Sequence, residues 1–298
     1  MNSIRFELIH DIDRAQEFWH LFSPQSTLFQ SWDFRYCFYK YFNYELFFYV
    51  GYAGDEPIGL LPLQFNSNEN YLEFFGGEFM DDNQLFIKKG YEKYVNTFYN
   101  HLDRPHHLTY ITGEDAFTKN LPLEEYKYIL PLTGLANSDD YIEQYFHGES
   151  KKKLRKKIKK ISELPIRILS NRFQDMDMLI DLNKKKFGLT SSFNKPHRTL
   201  IFHDLLKGPF TPHMLTFIIE EFVVAIAFAL IFNNSYISLN SGISLEAPKD
   251  FATFIRIKKI DEAIKKHLHT YDFLSGDCGW KESWHFIRKP QYVFKKSL

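Results

Sequence analysis

The densest charge in the sequence is the run KKKLRKKIKK at residues 151–160, where eight of ten residues are basic. Clustered lysine and arginine side chains attract phosphates, so the run could serve nucleic acid, an anionic membrane or an acidic cofactor. Folded as a helix, it places Leu154, Ile158 and Ile161 on one apolar stripe. We predict first a packed linker helix, second a source of positive field for a phosphate-bearing donor, and third a direct tRNA contact.

Several other chemistries have no motif in this sequence. Among the 12 histidines, His106 and His107 are adjacent, and His267 and His269 are two apart. Neither spacing is the i, i+4 pair of a zinc protease. Gly-rich nucleotide loops and a G-x-S-x-G nucleophile elbow are also missing from the sequence. We therefore expect no metal centre and no serine nucleophile.

Length and composition indicate a globular protein. The chain has 298 residues, of which 44% are hydrophobic and 25% charged. Its longest apolar run, FVVAIAFALIF, is too short to cross a bilayer as a helix. The first residues lack the apolar segment of a signal peptide, and the two cysteines have no paired spacing. We expect a cytoplasmic protein without a transmembrane segment.

The charge is distributed unevenly between the halves of the chain. Residues 1–145 carry 10 basic and 22 acidic residues, a net charge of −12, and residues 146–298 carry 27 and 15, a net charge of +12. Such asymmetry suggests two units with different partners.

Hydrophobic periodicity predicts the same order of elements twice: strand, two helices, a meander of three strands, helix, strand. The second series includes two strands joined at Glu220-Glu221 and a helix over 251–267. The predicted domains are 1–137, a basic linker region 138–164, and 165–298. The lysines at the start of the basic helix oppose its dipole. A preceding helix beginning near Ser138, with Asp139, Asp140 and Glu143 in its first turns, would offset them if the two helices are nearly continuous across Gly148.

Five stretches together resemble one family, the CelD-like acetyltransferases of the GNAT superfamily, which are related to the Fem-type peptidoglycan transferases. In the first half they are LFQSWDFRYCFYKYF, DEPIGLLPLQF and YLEFFGGEFMDDNQLFI. In the second half they are SKKKLRKKIKKI and IRIKKIDEAIKKHLHTYDFLSGDCGWKESW. The resemblance implies an α/β (α+β) fold of tandem GNAT-like domains, each with a mixed central sheet flanked by helices.

The sequence also departs from the family pattern. Ser275 stands where the signature usually has arginine, and CGW replaces Glu-x-Tyr before Lys281. Ala252 stands where many members have glycine at the start of the long helix. Because of these departures, the resemblance does not fix which residues form the cofactor-binding turn. A non-catalytic binding protein also stays among the alternatives.

The resemblance implies acetyl-CoA or another acyl-CoA as co-substrate. In the GNAT fold the donor lies along a splayed strand, and N–H groups at the start of the next helix bind its pyrophosphate, as helix N-termini bind anions generally. The corresponding segment is SGISLEAPKDFA, residues 241–252; an ordinary strand-to-helix loop is the alternative. The cofactor-binding residues expected from it are Ser241, Gly242, Lys249, Asp250, Phe251 and Ala252.

Lys281 matches the lysine of the family signature. A cation at this position is expected to stabilise the oxyanion that develops on a thioester carbonyl, or to bind a substrate phosphate. The alternative is a surface lysine paired with Asp277 or Glu282. Asp277 is expected to orient Lys281 or to hold the substrate amine.

Candidates for the acceptor side lie in the acidic first half. Asp81 and Asp82 follow the paired glycines Gly76-Gly77. Asp82 is predicted as the general base, and Asp81 and Trp32 as acceptor-binding residues. The alternatives are an exposed acidic loop for the carboxylates and core packing for the tryptophan.

The sequence therefore predicts an acyl-CoA-dependent N-acyltransferase. Its expected partner is a small amine such as an amino sugar, in surface polysaccharide or cell-envelope assembly; nucleic acid is not favoured. An aminoacyl-tRNA-dependent Fem-like transferase is the second hypothesis. A non-catalytic protein with the GNAT fold is the third.

Overall fold

A computed structural model describes residues 4–276 and 279–296 of the chain. The strands, in chain order, are β1 (Arg5–Ile9), β2 (Glu45–Ala53), β3 (Glu56–Asn66), β4 (Tyr71–Phe74), β5 (Phe86–Ile87), β6 (His106–Ile111), β7 (Leu123–Pro131), β8 (Ile166–Ser170), β9 (Thr211–Ile219), β10 (Phe222–Phe232), β11 (Ser235–Ile243), β12 (Thr270–Ser275) and β13 (Ile287–Lys296). The helices are α1 (Ile12–Phe22), α2 (Trp32–Phe42), α3 (Val95–Asn100), α4 (Ala116–Lys119), α5 (Ser138–Tyr145), α6 (Gly148–Ser162), α7 (Met176–Phe187), α8 (Arg198–Leu205) and α9 (Phe251–Lys265).

The chain forms two compact units. The first comprises Met1–Lys127 with Lys289–Leu298, and the second comprises Tyr128–Arg288. The C-terminal strand belongs to the first unit because β13 pairs antiparallel with β6. From the sequence, that strand was expected in the second half; the predicted domain boundaries stay a prediction.

The first unit contains a mixed sheet between two layers of helices. Its strand order is β1-β2-β3-β4-β6-β13, with β5 beside β3. Alternate residues of β2 face opposite layers: Phe48 packs with Trp19 of α1, and Phe47 belongs to the cluster around Phe98 of α3. Burial on both faces explains why these strands read as continuous apolar runs.

The second unit repeats this architecture with the order β7-β12-β11-β10-β9-β8. On one face Phe217 of β9 packs against Phe251 and Phe254 of α9. On the other face Phe228 of β10 contacts Phe202 of α8. The predicted double series of strand, helices, meander, helix and strand is confirmed, and so is the α/β fold.

The basic run forms helix α6, and its predicted packing stripe is confirmed. Leu154 and Ile161 are buried, and Ile161 joins the core of β9, β10 and α9. The two helices are not continuous across Gly148, because Phe146 and His147 are extended and separate α5 from α6. The lysines at the start of α6 are nevertheless offset by carboxylates, one of which is Glu143 of α5.

Two acidic side chains supply that offset. Glu143 of α5 forms ion pairs with Lys151 and with Arg155, at 2.5 Å in the second case, and Glu149 pairs with Lys152 at 3.0 Å. These carboxylates near the helix start reduce the unfavourable interaction of the lysines with the helix dipole.

Strand β7 was not predicted. Its sequence, LEEYKYILP, carries charged residues in its first half, so it lacks the continuous apolar character of the neighbouring strands. The boundary between the two units falls within it, after Lys127.

Arg35 of α2 organises the core of the first unit. Its side chain is 1% exposed and donates to the carbonyl oxygens of Phe29, Phe75 and Asp82 at 2.5–2.7 Å, and to Asn83 Oδ1 at 2.8 Å. Burial lowers the pKa of Arg35 to about 9, so the guanidinium remains charged at neutral pH. One side chain thus joins α2, the end of β4 and the segment that follows Gly76-Gly77.

We expect Arg35→Met to lower the free energy of unfolding by about 3 kcal/mol or more, because several buried acceptors would lose their donor. Arg14→Met is the control, since Arg14 pairs with Glu7 at the surface; such pairs contribute about 1 kcal/mol or less. Urea unfolding of both variants measures the difference. Equal losses in the two variants would refute the organising role of Arg35.

Candidate functional site: a gap between two parallel strands

The second unit has a gap where two parallel strands separate. β11 and β12 pair only at Ser235↔Thr270, Tyr236↔Tyr271 and Ile237↔Asp272. β11 continues to Ile243 and remains paired with β10 on its other side. Residues 238–243 therefore present one backbone edge to the gap, and the described residues give that edge no backbone partner.

A β-bulge shapes the first wall of the gap. In the pairing of β10 with β11, Ala229 lies opposite Ser238 and Phe228 lies opposite Asn240, so Leu239 is an extra residue. A bulge bends and twists its strand, and bulges are common beside active sites. This bulge comes directly after the last residue that pairs with β12.

The first unit has the same two parallel strands, but its gap is filled. β4 and β6 pair only at Leu72↔His106. Asn83 then bonds along β6 through its backbone N–H to Tyr110 O at 3.0 Å and its side chain to Thr109 O at 2.9 Å. Because this segment takes the place of a ligand, the second unit is the better candidate for binding a donor.

Lys259 of α9 lies where the strands of the second unit separate. Its Nζ donates to Ser238 Oγ at 2.8 Å, its side chain is buried, and Nζ is 5.9 Å from the ring centroid of Tyr271. Burial, aided by the positive charge of Arg256, lowers the pKa of Lys259 to about 7. A buried amine near this pKa is able to accept and release a proton at neutral pH.

Lys259 was not among the predicted site residues, although the sequence contains a signal for it. Lys259 lies four residues after Ile255 and four before Ala263, both buried, so it falls within the apolar stripe of α9. A lysine on the core face of a helix is unusual enough to suggest a buried role.

A polar network supports the outer part of β11. Asn183 Nδ2 of α7 donates to Asn240 Oδ1 at 2.8 Å and to Ser241 O at 2.9 Å. The α-carbon of Gly242 lies so close to α7 that a Cβ there would be 2.4 Å from Leu179 O. The helix thus fixes β11 at Ser241 and Gly242, and the close approach gives a packing reason for the glycine.

The remaining predicted donor-binding residues lie at the end of the loop between β11 and α9 and in the first turn of α9. Phe251 packs in the core, so only its backbone is available to a ligand, whereas Lys249 and Ala252 are exposed. Asp250 precedes α9 with φ +71° and pairs with Lys157 of α6 at 2.9 Å. The start of α9 thus combines helix N–H groups with one carboxylate and its paired lysine; the donor-binding role of these residues stays a prediction.

Lys281 holds the end of β12, the second wall of the gap. Its Nζ donates to the carbonyl oxygens of Phe273, Leu274 and Ser275 at 2.7–2.9 Å, and its side chain is buried. Three acceptors match the three protons of an ammonium group. The described contacts therefore make Lys281 a positioning residue, and contact with the reacting carbonyl stays a prediction. Asp277 lies outside the described residues.

The end of β12 is strained, which explains the dense bonding around it. Leu274 has φ +61°, in the left-handed region that leucine rarely adopts. Its N–H donates to Asp272 Oδ1 at 2.8 Å. Together with Lys281, this contact stabilises a sharp turn at the edge of the gap.

The predicted acceptor residues of the first unit are buried. Lys127 Nζ lies 2.6 Å from Asp82 Oδ2 and 3.5 Å from Asp81 Oδ2. Trp32 is 3% exposed and stacks on Phe75 with a centroid separation of 4.9 Å. Their roles as general base and acceptor-binding residues stay predictions.

Metal-ligating side chains are dispersed over the described part of the chain. Among residues 4–276 and 279–296, no group of three or more histidine, cysteine, aspartate or glutamate side chains is placed to hold a metal ion. No helix within the same residues has the length and apolarity that a membrane span requires.

Comparison with known proteins identifies the class to which the gap belongs. Residues 148–282 match the model of the acetyltransferase (GNAT) domain. The match contains β8 to β12 and α6 to α9, the elements that form and support the gap. This segment is thus similar to an acetyltransferase (GNAT) domain. No protein of curated function matches the sequence of this chain.

Solved structures show the same fold over nearly the whole chain. L-PGS from Bacillus licheniformis has a TM-score of 0.60 at 9% identity and covers 97% of this chain and 94% of its own. FemX has a TM-score of 0.60 at 9% identity and covers 97% of both chains. A tandem GNAT protein from the clavulanic acid biosynthesis pathway has a TM-score of 0.52 at 9% identity, covering 98% of this chain and 97% of its own. At such low identity these likenesses establish a tandem GNAT-like fold alone.

The buried position of Lys259 predicts a pH dependence of stability. Its folded pKa of about 7 lies below the ordinary value of 10.5, so between these values the unfolded chain binds the additional proton. The free energy of unfolding should therefore rise with pH in this window, by up to about 1.4 kcal/mol per pH unit. As the pH falls through the window this stabilisation is lost, and below pH 7 the free energy of unfolding no longer depends on Lys259 protonation.

The measurement is urea unfolding of the wild type and Lys259→Met at several pH values between 7 and 10. The difference between them isolates Lys259, since the other titrating groups are common to both. Lys258→Met, on the adjacent and more exposed lysine, is the control. If the difference in unfolding free energy between the wild type and Lys259→Met does not change with pH, Lys259 is not a neutral amine in the folded protein.

Proposed function

We propose that this chain is an N-acyltransferase that takes an acyl group from an acyl-CoA thioester and transfers it to an amine. The observation that carries the proposal is the gap after Ile237 and Asp272, within the segment that matches the acetyltransferase domain. The donor would extend along the free edge of β11, where backbone groups can hydrogen-bond its pantetheine amides. Its pyrophosphate would lie at the start of α9, near Lys249 and Lys157.

The reaction requires a proton acceptor, and Lys259 suits this role. The amine nitrogen attacks the thioester carbonyl carbon, the C–N bond forms, the C–S bond breaks, and the thiolate leaves. The proton lost by the amine would pass to Lys259 through the Ser238 hydroxyl, which accepts a hydrogen bond from Nζ. An acceptor with a pKa near the working pH is effective in such a step.

The acceptor proposed is a small amine such as an amino sugar. The excess of 22 acidic over 10 basic residues in 1–145 favours a cationic substrate. The resemblance to CelD-like acetyltransferases supports an acetyl donor and a setting in surface polysaccharide or cell-envelope assembly.

An aminoacyl-tRNA donor is the second candidate. Asp250 places a carboxylate at the start of α9, where the pyrophosphate of CoA would bind, and its negative charge disfavours that pyrophosphate. On α6, Lys153, Lys156 and Lys159 are exposed and form no ion pair with the described residues. Such a surface is suited to phosphate contacts along RNA, and the Fem-type relationship supports it.

The two donors are distinguished by thermal unfolding with each ligand. If the first proposal is right, acetyl-CoA at about 100 times its Kd stabilises the protein by about 2.7 kcal/mol, and charged tRNA does not. Stabilisation by charged tRNA alone, with a steep dependence on salt, would replace the first donor with the second. No response to either ligand would leave the non-catalytic alternative.

Asp250→Asn tests the position of the pyrophosphate. Removing this negative charge should tighten acetyl-CoA binding about fivefold, the effect of roughly 1 kcal/mol at a helix terminus. Asp139→Asn is the matched control, because Asp139 also faces a basic residue of α6, Arg155, at 3.7 Å. Isothermal titration with acetyl-CoA measures both; weaker binding by Asp250→Asn would place the pyrophosphate elsewhere.

Lys281→Ala tests the second wall of the gap. We expect turnover to fall by about 100-fold or more if Lys281 holds the reacting geometry or touches the oxyanion, and the melting temperature to fall as well. Lys207→Ala, on an exposed lysine of the same unit, is the control. Full turnover by Lys281→Ala would remove this lysine from the mechanism.

A further inference from the structure

A loop of the second unit combines exposed apolar side chains with uncompensated positive charge. Residues 184–189 contain three lysines and no acidic residue. Lys184, Lys185 and Lys186 are exposed in the last turn of α7, and none forms an ion pair with a described residue. Directly after them, Phe187 is 48% exposed and Leu189 is 98% exposed.

The loop holds these apolar residues outward in a defined conformation. Gly188 ends α7 with φ +53°, which suits glycine, and its carbonyl accepts a hydrogen bond from Asn194 Nδ2 at 2.7 Å. Thr190 Oγ1 donates to Phe187 O at 2.8 Å. These bonds close the turn that carries Leu189.

The inner side of the loop is fixed to the core. Ser191 Oγ donates to Asn183 Oδ1 at 2.7 Å, and both side chains are buried. Phe193 is buried and packs against Phe202 of α8 with a centroid separation of 4.9 Å. Of the three apolar side chains Phe187, Leu189 and Phe193, only Phe193 is buried in the core.

Helix α6 shows that a run of lysines does not by itself produce a surface that combines unpaired charge with exposed apolar side chains. It also begins with three consecutive lysines, Lys151 to Lys153, but Lys151 and Lys152 pair with glutamates. The apolar residue directly after them, Leu154, is buried. The two triple-lysine runs thus differ in the burial of the next apolar residues and in the balance of their charge.

We propose that the loop Lys184–Leu189 binds the surface of an anionic lipid bilayer. Lysines next to an anionic leaflet gain electrostatic attraction, and adjacent apolar side chains enter the boundary between headgroups and acyl chains. Phe187 is an aromatic side chain of the kind that stacks on bases, but Leu189 is aliphatic and 98% exposed, and this residue favours lipid over RNA. The loop therefore brings the second unit to a membrane without a spanning helix.

Vesicle co-sedimentation of the full chain tests the proposal. The probes are vesicles of phosphatidylcholine alone and of phosphatidylcholine mixed equally with phosphatidylglycerol. We expect binding only to the anionic vesicles, and weaker binding when salt is raised from about 0.1 M to 1 M. Replacing Lys184, Lys185 and Lys186 together by glutamine should weaken it about 100-fold, at roughly fivefold per lysine.

Two matched controls separate the loop from general effects of charge and apolarity. The triple glutamine variant of Lys151, Lys152 and Lys153 removes the same charge from α6 and should leave most binding intact. Leu189→Ser should weaken binding about tenfold, as expected for one buried leucine. Phe222→Ser changes a residue that is 73% exposed at the start of β10, and should have little effect.

Several outcomes would overturn the proposal. One is failure of the wild type to bind anionic vesicles, and another is equal weakening by the two triple variants. Binding of tRNA that depends on Lys184 to Lys186, without vesicle binding, would make the loop a nucleic-acid surface instead. Because no acyl donor is present, the vesicle result is independent of the acetyl-CoA and tRNA experiments.

Discussion

The parting of two parallel strands is the constraint on which the second unit depends. After Ile237 and Asp272, β11 and β12 no longer pair with each other, whereas β11 remains paired with β10 as far as Ile243. Backbone N–H and C=O groups must find partners or face solvent, so the separated ends need support from outside the sheet. Asn183 supplies it to β11 through Ser241 O, and Lys281 supplies it to β12 through three carbonyl oxygens.

The first unit resolves the same topology differently. Its strands β4 and β6 separate after a single pair, and Asn83 occupies the space with backbone and side-chain hydrogen bonds. Arg35 holds this segment through Asp82 O and Asn83 Oδ1. Two copies of one arrangement thus divide into a unit whose gap is filled by its own chain and a unit in which the described residues leave the edge of β11 without a backbone partner.

The elements were predictable from the sequence because apolar period and turn residues are local properties. The double meander and α9 follow from such patterns. Strand β7 was missed because the charged residues in its first half interrupt the apolar pattern of a strand. The break between α5 and α6 could not be predicted, because the extended conformation of Phe146 and His147 has no sequence signal of its own.

The site was predicted less completely than the fold, since its properties depend on contacts between distant residues. The segment 241–252 was located through the family resemblance. The burial of Lys281 against β12 was not foreseen, because only the folded strand end presents its three carbonyl groups together. Lys259 could have been found from its position between Ile255 and Ala263, but its pKa depends on the packing of α9 over β11 and β12.

What a run of basic residues can bind depends on the carboxylates and the apolar side chains beside it. The run at 151–160 contains the densest charge of the chain, yet part of it is balanced by Glu143, Glu149 and Asp250, and its apolar stripe lies in the core. The shorter run Lys184 to Lys186 has less charge but no ionic partner among the described residues, and an exposed apolar turn comes directly after it. The shorter run therefore combines unpaired lysines with exposed apolar side chains, the combination that an anionic bilayer surface binds, whereas α6 presents its unpaired lysines without an exposed apolar turn.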